Sequence, residues 1–97
     1  MTITAKLISG VGFTRATDDD MKRGLLGYVT CTFADLLLLD GLTLRVTEGG
    51  RHVLSFPCRT DGRGARHPYF RPQDDRARRI IEDVVFAALG VEREVRR

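Results

Sequence analysis

Residues 42–56, LTLRVTEGGRHVLSF, decide the fold of this chain, because they read as two strands joined by a tight turn. Apolar and polar residues alternate over residues 42–46, as they do in a strand that buries one face. Glu48-Gly49-Gly50 predicts the turn, since glycine reaches positive φ without strain. Residues 53–56 are the second strand of this predicted hairpin, which ends at Pro57.

The sequence before the hairpin predicts two more strands. Leu25–Phe33, LLGYVTCTF, is rich in β-branched and aromatic residues and alternates between an apolar face and a more polar one. Residues 36–39 are again apolar, and Asp40-Gly41 after them predicts a bend or a bulge. Residues 3–8, ITAKLI, predict the first strand. Residues 9–24, with glycines and three adjacent aspartates, predict a long loop.

The sequence after the hairpin predicts a loop and one helix. Residues 58–71, CRTDGRGARHPYFR, lose regular apolar periodicity and predict an exposed loop. Asp74 or Asp75 is the expected N-cap of the helix, and Gly90 is the expected C-cap. An apolar stripe at helical spacing is formed by Ala77, Ile80, Ile81, Val84, Val85 and Ala88. The Phe86/Leu89 flank lies off this stripe, which indicates either packing under the 9–24 loop or a subunit interface.

Sequential strands with short connections indicate an antiparallel meander. We therefore expect an α+β fold, with an antiparallel four- to five-stranded meander sheet and one C-terminal helix packed on it. The 97 residues suffice for one domain. We assign residues 1–90 to that domain and residues 91–97 to a frayed, charged tail.

The composition predicts a globular cytoplasmic protein. A hydrophobic fraction of 42% and a charged fraction of 30% exclude a disordered chain. No apolar run approaches the ~20 residues that span a bilayer, and the N-terminus lacks the pattern of a signal peptide. Cys31 reads as a buried thiol and Cys58 as an incidental one. Together with His52 and His67 they match no zinc-ligand spacing, so we expect no metal and no other cofactor.

The excess positive charge lies in residues 57–79. This segment holds seven arginines and three aspartates, a net charge of +4, whereas residues 1–56 are neutral and residues 80–97 carry −1. The planar guanidinium of arginine suits phosphate and carboxylate groups and stacks on bases. Tyr69 and Phe70 lie among these arginines, and we expect one ring to point inwards and the other outwards. The alternative is a solvated surface with no partner.

No catalytic motif is present, because the chain lacks a nucleophile elbow, a phosphate-binding P-loop and an HExxH sequence. His67 is the one acid–base candidate in the 58–71 loop, and no carboxylate lies close to it in sequence. Catalysis needs a converging set of groups. We therefore expect a protein that is not an enzyme, with an enzyme centred on His67 or Cys58 as an alternative.

The order of several short motifs resembles the SpoVG (stage V sporulation protein G) septation-regulator family of bacteria. The resemblance runs through ITAKLI, GLLGYVTCTFAD, LTLRV, FPCRTDG, His67-Pro68 and the helix RARRIIEDVVFAAL, which together cover most of the chain. It implies a small cytoplasmic homodimer with a mostly antiparallel sheet and a C-terminal helix. It also implies binding to DNA, and in some members to RNA, with effects on gene expression and cell division.

Single positions both follow and depart from the family pattern. The matching residues are Arg59-Thr60, His67-Pro68, and Arg78 or Arg79 early in the helix. Asp61 stands where the family has proline, and Ala65-Arg66 stands where it has an Asp-Ile pair. Because these departures lie in the presumed binding loop, the resemblance implies no particular target.

We expect a nucleic-acid-binding regulator that contacts phosphates through an arginine-rich loop and helix start. The expected contact residues are Arg59, Thr60, Arg63, Arg66, His67, Tyr69, Arg71, Arg78 and Arg79. We expect a homodimer built from a sheet edge or from the Phe86/Leu89 flank, and neither a membrane nor a small-molecule substrate as partner. The alternative is a protein-interaction module that docks an acidic partner through the same loop.

Overall fold

The computed structural model describes residues 7–94. The elements in chain order are β1 (Ile8–Arg15), α1 (Asp18–Lys22), β2 (Leu25–Phe33), β3 (Leu37–Val46), β4 (His52–Ser55), β5 (Cys58–Thr60), β6 (Arg66–Pro68) and α2 (Asp75–Leu89). Strands β1 to β4 form one antiparallel sheet in sequence order, and β5 pairs with β6 in a second, two-stranded sheet. The expected α+β fold, with a meander sheet and a C-terminal helix, is confirmed.

The central strands follow the predicted alternation. Along β2, Val29 and Cys31 are buried, and so is Gly27. Tyr28, which lies between Gly27 and Val29, is exposed. Leu44 of β3 is buried and pairs across the predicted hairpin with Leu54 of β4, which is also buried. These inward residues form the core together with the buried residues Ile8, Leu42, Val85 and Phe86.

The predicted bend at Asp40-Gly41 is a β-bulge. Leu42 pairs with Val29 and Leu39 pairs with Cys31, so β3 has one more residue than β2 between these two pairs. Gly41 adopts a φ of 80°, and its N–H donates to Asp40 Oδ1 at 2.7 Å. The extra residue lets Leu39 and Leu42 both contact the core in spite of their odd spacing.

The loop predicted for residues 9–24 is wrong, because most of this segment belongs to β1 and α1. Strand β1 pairs with β2 and has an irregular register between Ser9 and Gly12, where Gly10 adopts a φ of 57°. Because β1 contains two glycines and few apolar residues, its sequence lacks the apolar–polar alternation that predicts a strand. Residues 3–6 of the predicted first strand lie outside the described residues.

The three adjacent aspartates form the first turn of the short helix α1. Thr17 is the N-cap of α1, and its Oγ1 accepts a hydrogen bond from the Asp20 N–H at 3.2 Å. Carboxylates at this end are favoured by the helix dipole. The aspartate run is therefore explained by a helix start.

Helix α2 begins and ends as predicted, but it buries a different face. Asp74 is the N-cap, and Gly90 closes the helix with a φ of 71°. Val85 is buried, whereas Ile80 and Val84 of the predicted stripe are 51% and 40% exposed. The apolar stripe alone therefore gives the wrong rotation of the helix about its axis.

Glu82 explains this rotation, because its carboxylate is buried with the core face. Its Oε2 accepts from the backbone N–H of Leu54 at 3.1 Å, and its Oε1 accepts from Arg93 Nη1 at 2.7 Å. Arg78 Nη1 donates to the Leu54 carbonyl at 2.7 Å. Strand β4 is an edge strand. Two side chains of α2 therefore satisfy backbone groups of Leu54 that a further strand would otherwise pair.

The expected fraying of the tail is wrong for residues 91–94, which pack beside β4. The His52 N–H donates to the Arg93 carbonyl at 2.7 Å, and Arg51 forms a β-bridge with Glu94. Phe86 is 3% exposed and contacts the His52 ring and the Arg93 guanidinium, so it is part of the interior of this chain. The Phe86/Leu89 flank is therefore not a free surface for a second subunit. Residues 95–97 lie outside the described residues.

Within residues 7–94, neither helix combines the length and the apolar content that crossing a membrane requires.

Candidate nucleic-acid interface

Residues 58–68 form a β-hairpin, which corrects the prediction of an irregular loop. Strands β5 and β6 pair Cys58 with Pro68, Arg59 with His67, and Thr60 with Arg66. Each strand has only three residues, which is too short for an apolar periodicity that would predict a strand. The Asp-Gly dipeptide at residues 61–62 is the sequence signal that could have found this hairpin.

Asp61 closes the turn of the hairpin. Its Oδ1 accepts from the backbone N–H groups of Arg63 at 2.8 Å and Ala65 at 3.0 Å, and Gly64 adopts a φ of 82°. Its Oδ2 lies 2.7 Å from His67 Nε2. The hydrogen bond from His67, followed by the two backbone hydrogen bonds, lowers the pKa of Asp61. His67 thus has a carboxylate partner, although its immediate neighbours in sequence include none. The contact between Asp61 and His67 connects the turn to β6.

The two faces of the hairpin divide the predicted contact residues. Because side chains alternate along a strand, Arg59 and His67 share one face, and Arg66 lies on the other with Cys58. The second face borders a cleft of about 310 Å³, which we call the arginine cleft. It is lined by Ser55, Phe56, Cys58, Arg66, Pro68, Arg71 and Arg78.

Two of the three arginines in the arginine cleft are held in place by neighbours. Arg66 donates from Nε and Nη2 to Cys58 Sγ, at 3.2 Å and 3.0 Å. Arg78 donates to the backbone of β4, and its guanidinium lies 5.4 Å from the ring centre of Phe56. Arg71 forms no hydrogen bond or ion pair with any other described residue. Cys58, interpreted from sequence as incidental, is the acceptor that positions Arg66.

The other predicted contact residues lie outside the arginine cleft. Arg59, Thr60 and Arg63 are exposed on the hairpin. Arg79 borders a separate cleft together with Arg51, Asp75, Arg78, Glu82 and Arg93. Carboxylates therefore lie close to Arg79, whereas the arginine cleft is lined by none.

The two aromatic residues after the hairpin point in different directions, as predicted. Tyr69 is 69% exposed, and its backbone N–H donates to the Pro57 carbonyl at 3.0 Å. Phe70 is half-buried, and its ring packs edge-on against Phe56 with 6.0 Å between the ring centres. Tyr69 is thus available for stacking, whereas Phe70 anchors the segment to the core.

The described residues offer cations and hydrogen-bond donors at this surface. Among residues 7–94, no group of three His, Cys, Asp or Glu side chains is placed to hold a metal ion. Burial raises the pKa of the Cys31 thiol, which lies in the core away from the cleft lining. The arrangement is therefore suited to binding anions.

No family model, curated protein or solved structure matches this chain. The resemblance to the SpoVG septation regulators therefore rests on the sequence motifs quoted above.

Proposed function

We propose that the protein is a nucleic-acid-binding regulator whose contact surface is the β5–β6 hairpin and the arginine cleft. The observation that carries this proposal is the arrangement of Arg66, Arg71 and Arg78 around one cleft that no carboxylate lines. Arg59 and Arg63 extend the positive surface onto the exposed side and the tip of the hairpin. Clustered arginines of this kind bind phosphate groups with charge-assisted hydrogen bonds.

The contacts available at this surface favour binding to the sugar–phosphate backbone. Tyr69 adds an exposed ring on which an unpaired base can stack, and stacking tolerates any base. The arginines of this surface come from a hairpin, a connecting segment and α2, and not from one helix that could lie along a groove. We therefore expect weak sequence preference and binding to both single-stranded DNA and RNA.

A salt titration tests the proposal. Neutralising ~3–5 phosphates predicts that the logarithm of the association constant falls against the logarithm of salt concentration with a slope of about −3 to −4. A triple variant, R59E/R63E/R66E, should lose binding to short DNA and RNA in a fluorescence anisotropy assay. The matched control is K22E/R23E/R45E, which makes the same change in net charge at residues that border neither the hairpin nor the arginine cleft.

The control separates a local surface from a general effect of charge. Equal loss of binding in both triple variants, or salt-independent binding by the wild type, would contradict the proposal. Capture of an acidic protein that survives nuclease treatment, together with no binding to any nucleic acid, would favour the protein-interaction alternative.

We further propose that the protein acts in the cytoplasm as a homodimer and regulates gene expression or septation. The resemblance to the septation regulators supports these roles. An apolar groove of about 240 Å³ supports the dimer, since its walls are formed by Leu7, Ile8, Phe33, Ala77, Ile80 and Ile81. Ile80 and the neighbouring Val84 are exposed, and β1 is the sheet edge beside this groove. A second copy that covers these residues would remove apolar surface from water.

A further inference from the structure

The three guanidiniums of the arginine cleft converge from separate parts of the fold. Arg66 belongs to β6, Arg71 to the segment between β6 and α2, and Arg78 to the first turn of α2. Residues of the hairpin, the connecting segment and α2 together line the cleft. Such a pocket places donors on several sides of one ligand group, which a single row of surface arginines does not.

Only one of the three arginines in this cleft is paired with a carboxylate of the described residues. Arg66 is oriented by the sulfur of Cys58 and forms no ion pair with a carboxylate among residues 7–94. Arg71 has no partner among residues 7–94. Arg78 is the exception, because Glu82 Oε2 lies 3.8 Å from its Nη1. Elsewhere in the fold the opposite holds, since Arg93 contacts the carboxylates of both Glu82 and Asp83.

The unused donors define what the cleft can bind. Arg66 uses Nε and Nη2 for the sulfur, and Arg78 uses Nη1 for the Leu54 carbonyl, so each keeps a further nitrogen for a ligand. The whole fork of Arg71 is available. A phosphodiester inside a strand has two unshared oxygens and one negative charge. A phosphate monoester has three unshared oxygens and a charge near −2 at neutral pH.

We propose that the arginine cleft binds a phosphate monoester, one oxygen facing each guanidinium. The source of the monoester is the phosphorylated end of a nucleic-acid strand or a free mononucleotide. In the first case the inference rests on the proposed function and adds recognition of strand ends to it. The volume of about 310 Å³ lies at the low end for ligand pockets, and Phe56 and Pro68 supply apolar wall against which a sugar can pack.

The test compares oligonucleotides of one sequence that differ only at their ends. A single-stranded 12-mer with a 5′-phosphate, a 3′-phosphate or no terminal phosphate is titrated against the wild type by fluorescence anisotropy. We expect one phosphorylated form to bind about tenfold more tightly than the unphosphorylated form, the effect of one added charge-assisted contact. Adenosine 5′-monophosphate and adenosine are titrated in parallel by calorimetry to detect the free nucleotide.

Arg71→Gln is the decisive variant, because Arg71 supports no other part of the described structure. It should bind phosphorylated and unphosphorylated strands equally. Arg76→Gln is the matched control, since it removes the same charge from an exposed position near the start of α2 that does not line the cleft. This control should keep the tenfold difference. Circular dichroism of both variants checks that the fold is retained.

The outcomes separate this inference from the proposed function. Loss of the strand-end preference in Arg71→Gln supports recognition of a strand end. Binding of the monophosphate but of no strand, lost in Arg71→Gln, supports the monoester site and contradicts the proposed function. Binding of all strands with equal affinity, with no response to the monophosphate, overturns the monoester site and leaves the proposed function supported.

Discussion

Glu82 Oε2 accepts a hydrogen bond from the backbone N–H of Leu54 at 3.1 Å. A side chain of α2 thus supplies the acceptor that a neighbouring strand would supply to this edge strand. The side chain of Glu82 is 6% exposed, and Arg93 Nη1 lies 2.7 Å from its Oε1. A buried carboxylate is tolerated only when its charge is paired and its oxygens are hydrogen-bonded. Glu82 therefore fixes the helix, the edge strand β4 and the C-terminal segment relative to one another.

Replacing Glu82 by alanine should destabilise the fold strongly. The substitution leaves the Leu54 N–H without its acceptor and Arg93 without a buried partner, and we expect the free energy of unfolding to fall by about 3 kcal/mol. Urea unfolding followed by circular dichroism measures this change. Asp83→Asn is the control, because Asp83 contacts the same Arg93 from a position that is 65% exposed, and it should cost less than about 1 kcal/mol. Equal effects of the two substitutions would contradict a central role for Glu82.

Acid should open the turn of the β5–β6 hairpin through Asp61. The pKa of Asp61 is lowered from its ordinary value of 3.8 in the folded hairpin, so its stabilising effect is complete above that value and is lost as the pH falls through the lowered pKa. The amide signals of Arg63 and Ala65 should therefore change together below about pH 4 in an NMR titration. In Asp61→Asn, which keeps an acceptor oxygen but carries no charge, this joint change should be absent.

The contrary result for the hairpin is also defined. If the two amide signals show no joint change below about pH 4, or if the same change persists in Asp61→Asn, then the Asp61 carboxylate does not control the turn. The titration thus decides whether the carboxylate of the 2.7 Å contact governs the hairpin.

The sequence predicted the elements whose pattern repeats over many residues. Strand β2 and the hairpin over residues 42–56 carry clear alternation, and the ends of α2 carry a capping aspartate and a glycine. The rotation of α2 could not be predicted, because it depends on a buried carboxylate that a hydrophobicity pattern counts as exposed. Strand β1 was missed because its glycines, which allow an irregular register, also remove the apolar signal.

The sequence predicted which segment holds the candidate site, but not how its side chains are arranged around the cleft. All three arginines of the arginine cleft lie in the stretch of excess charge that the sequence indicates. The pairing of β5 with β6 sets the face on which Arg66 lies, and three-residue strands give no periodicity from which to infer that pairing. Cys58 could not be chosen in advance, since its role follows only from its place diagonally across the hairpin from Arg66.

Gly27 should tolerate no side chain. A Cβ at this buried position of β2 would overlap the ring of Phe13 and the backbone carbonyl oxygen of Thr14 on β1. We expect Gly27→Ala to lower the free energy of unfolding by about 2 kcal/mol, as overpacking against backbone does. Gly62→Ala is the matched control, because a Cβ there meets no atom within 4 Å, and it should change stability by less than about 0.5 kcal/mol. Comparable urea midpoints for the two variants would show that β1 and β2 do not pack closely enough at Gly27 to exclude a side chain.

The apolar groove between α2 and the start of β1 should be the contact between two copies of the chain. Ile80 borders this groove and is 51% exposed, so Ile80→Glu should leave the fold intact and shift the protein from dimer to monomer in sedimentation velocity. Leu37→Glu is the control, since Leu37 is 59% exposed but lies in β3 and not in the groove. A monomeric wild type would contradict the dimer. Dissociation by Leu37→Glu and not by Ile80→Glu would place the contact near the turn between β2 and β3, where Leu36 and Leu38 are also exposed.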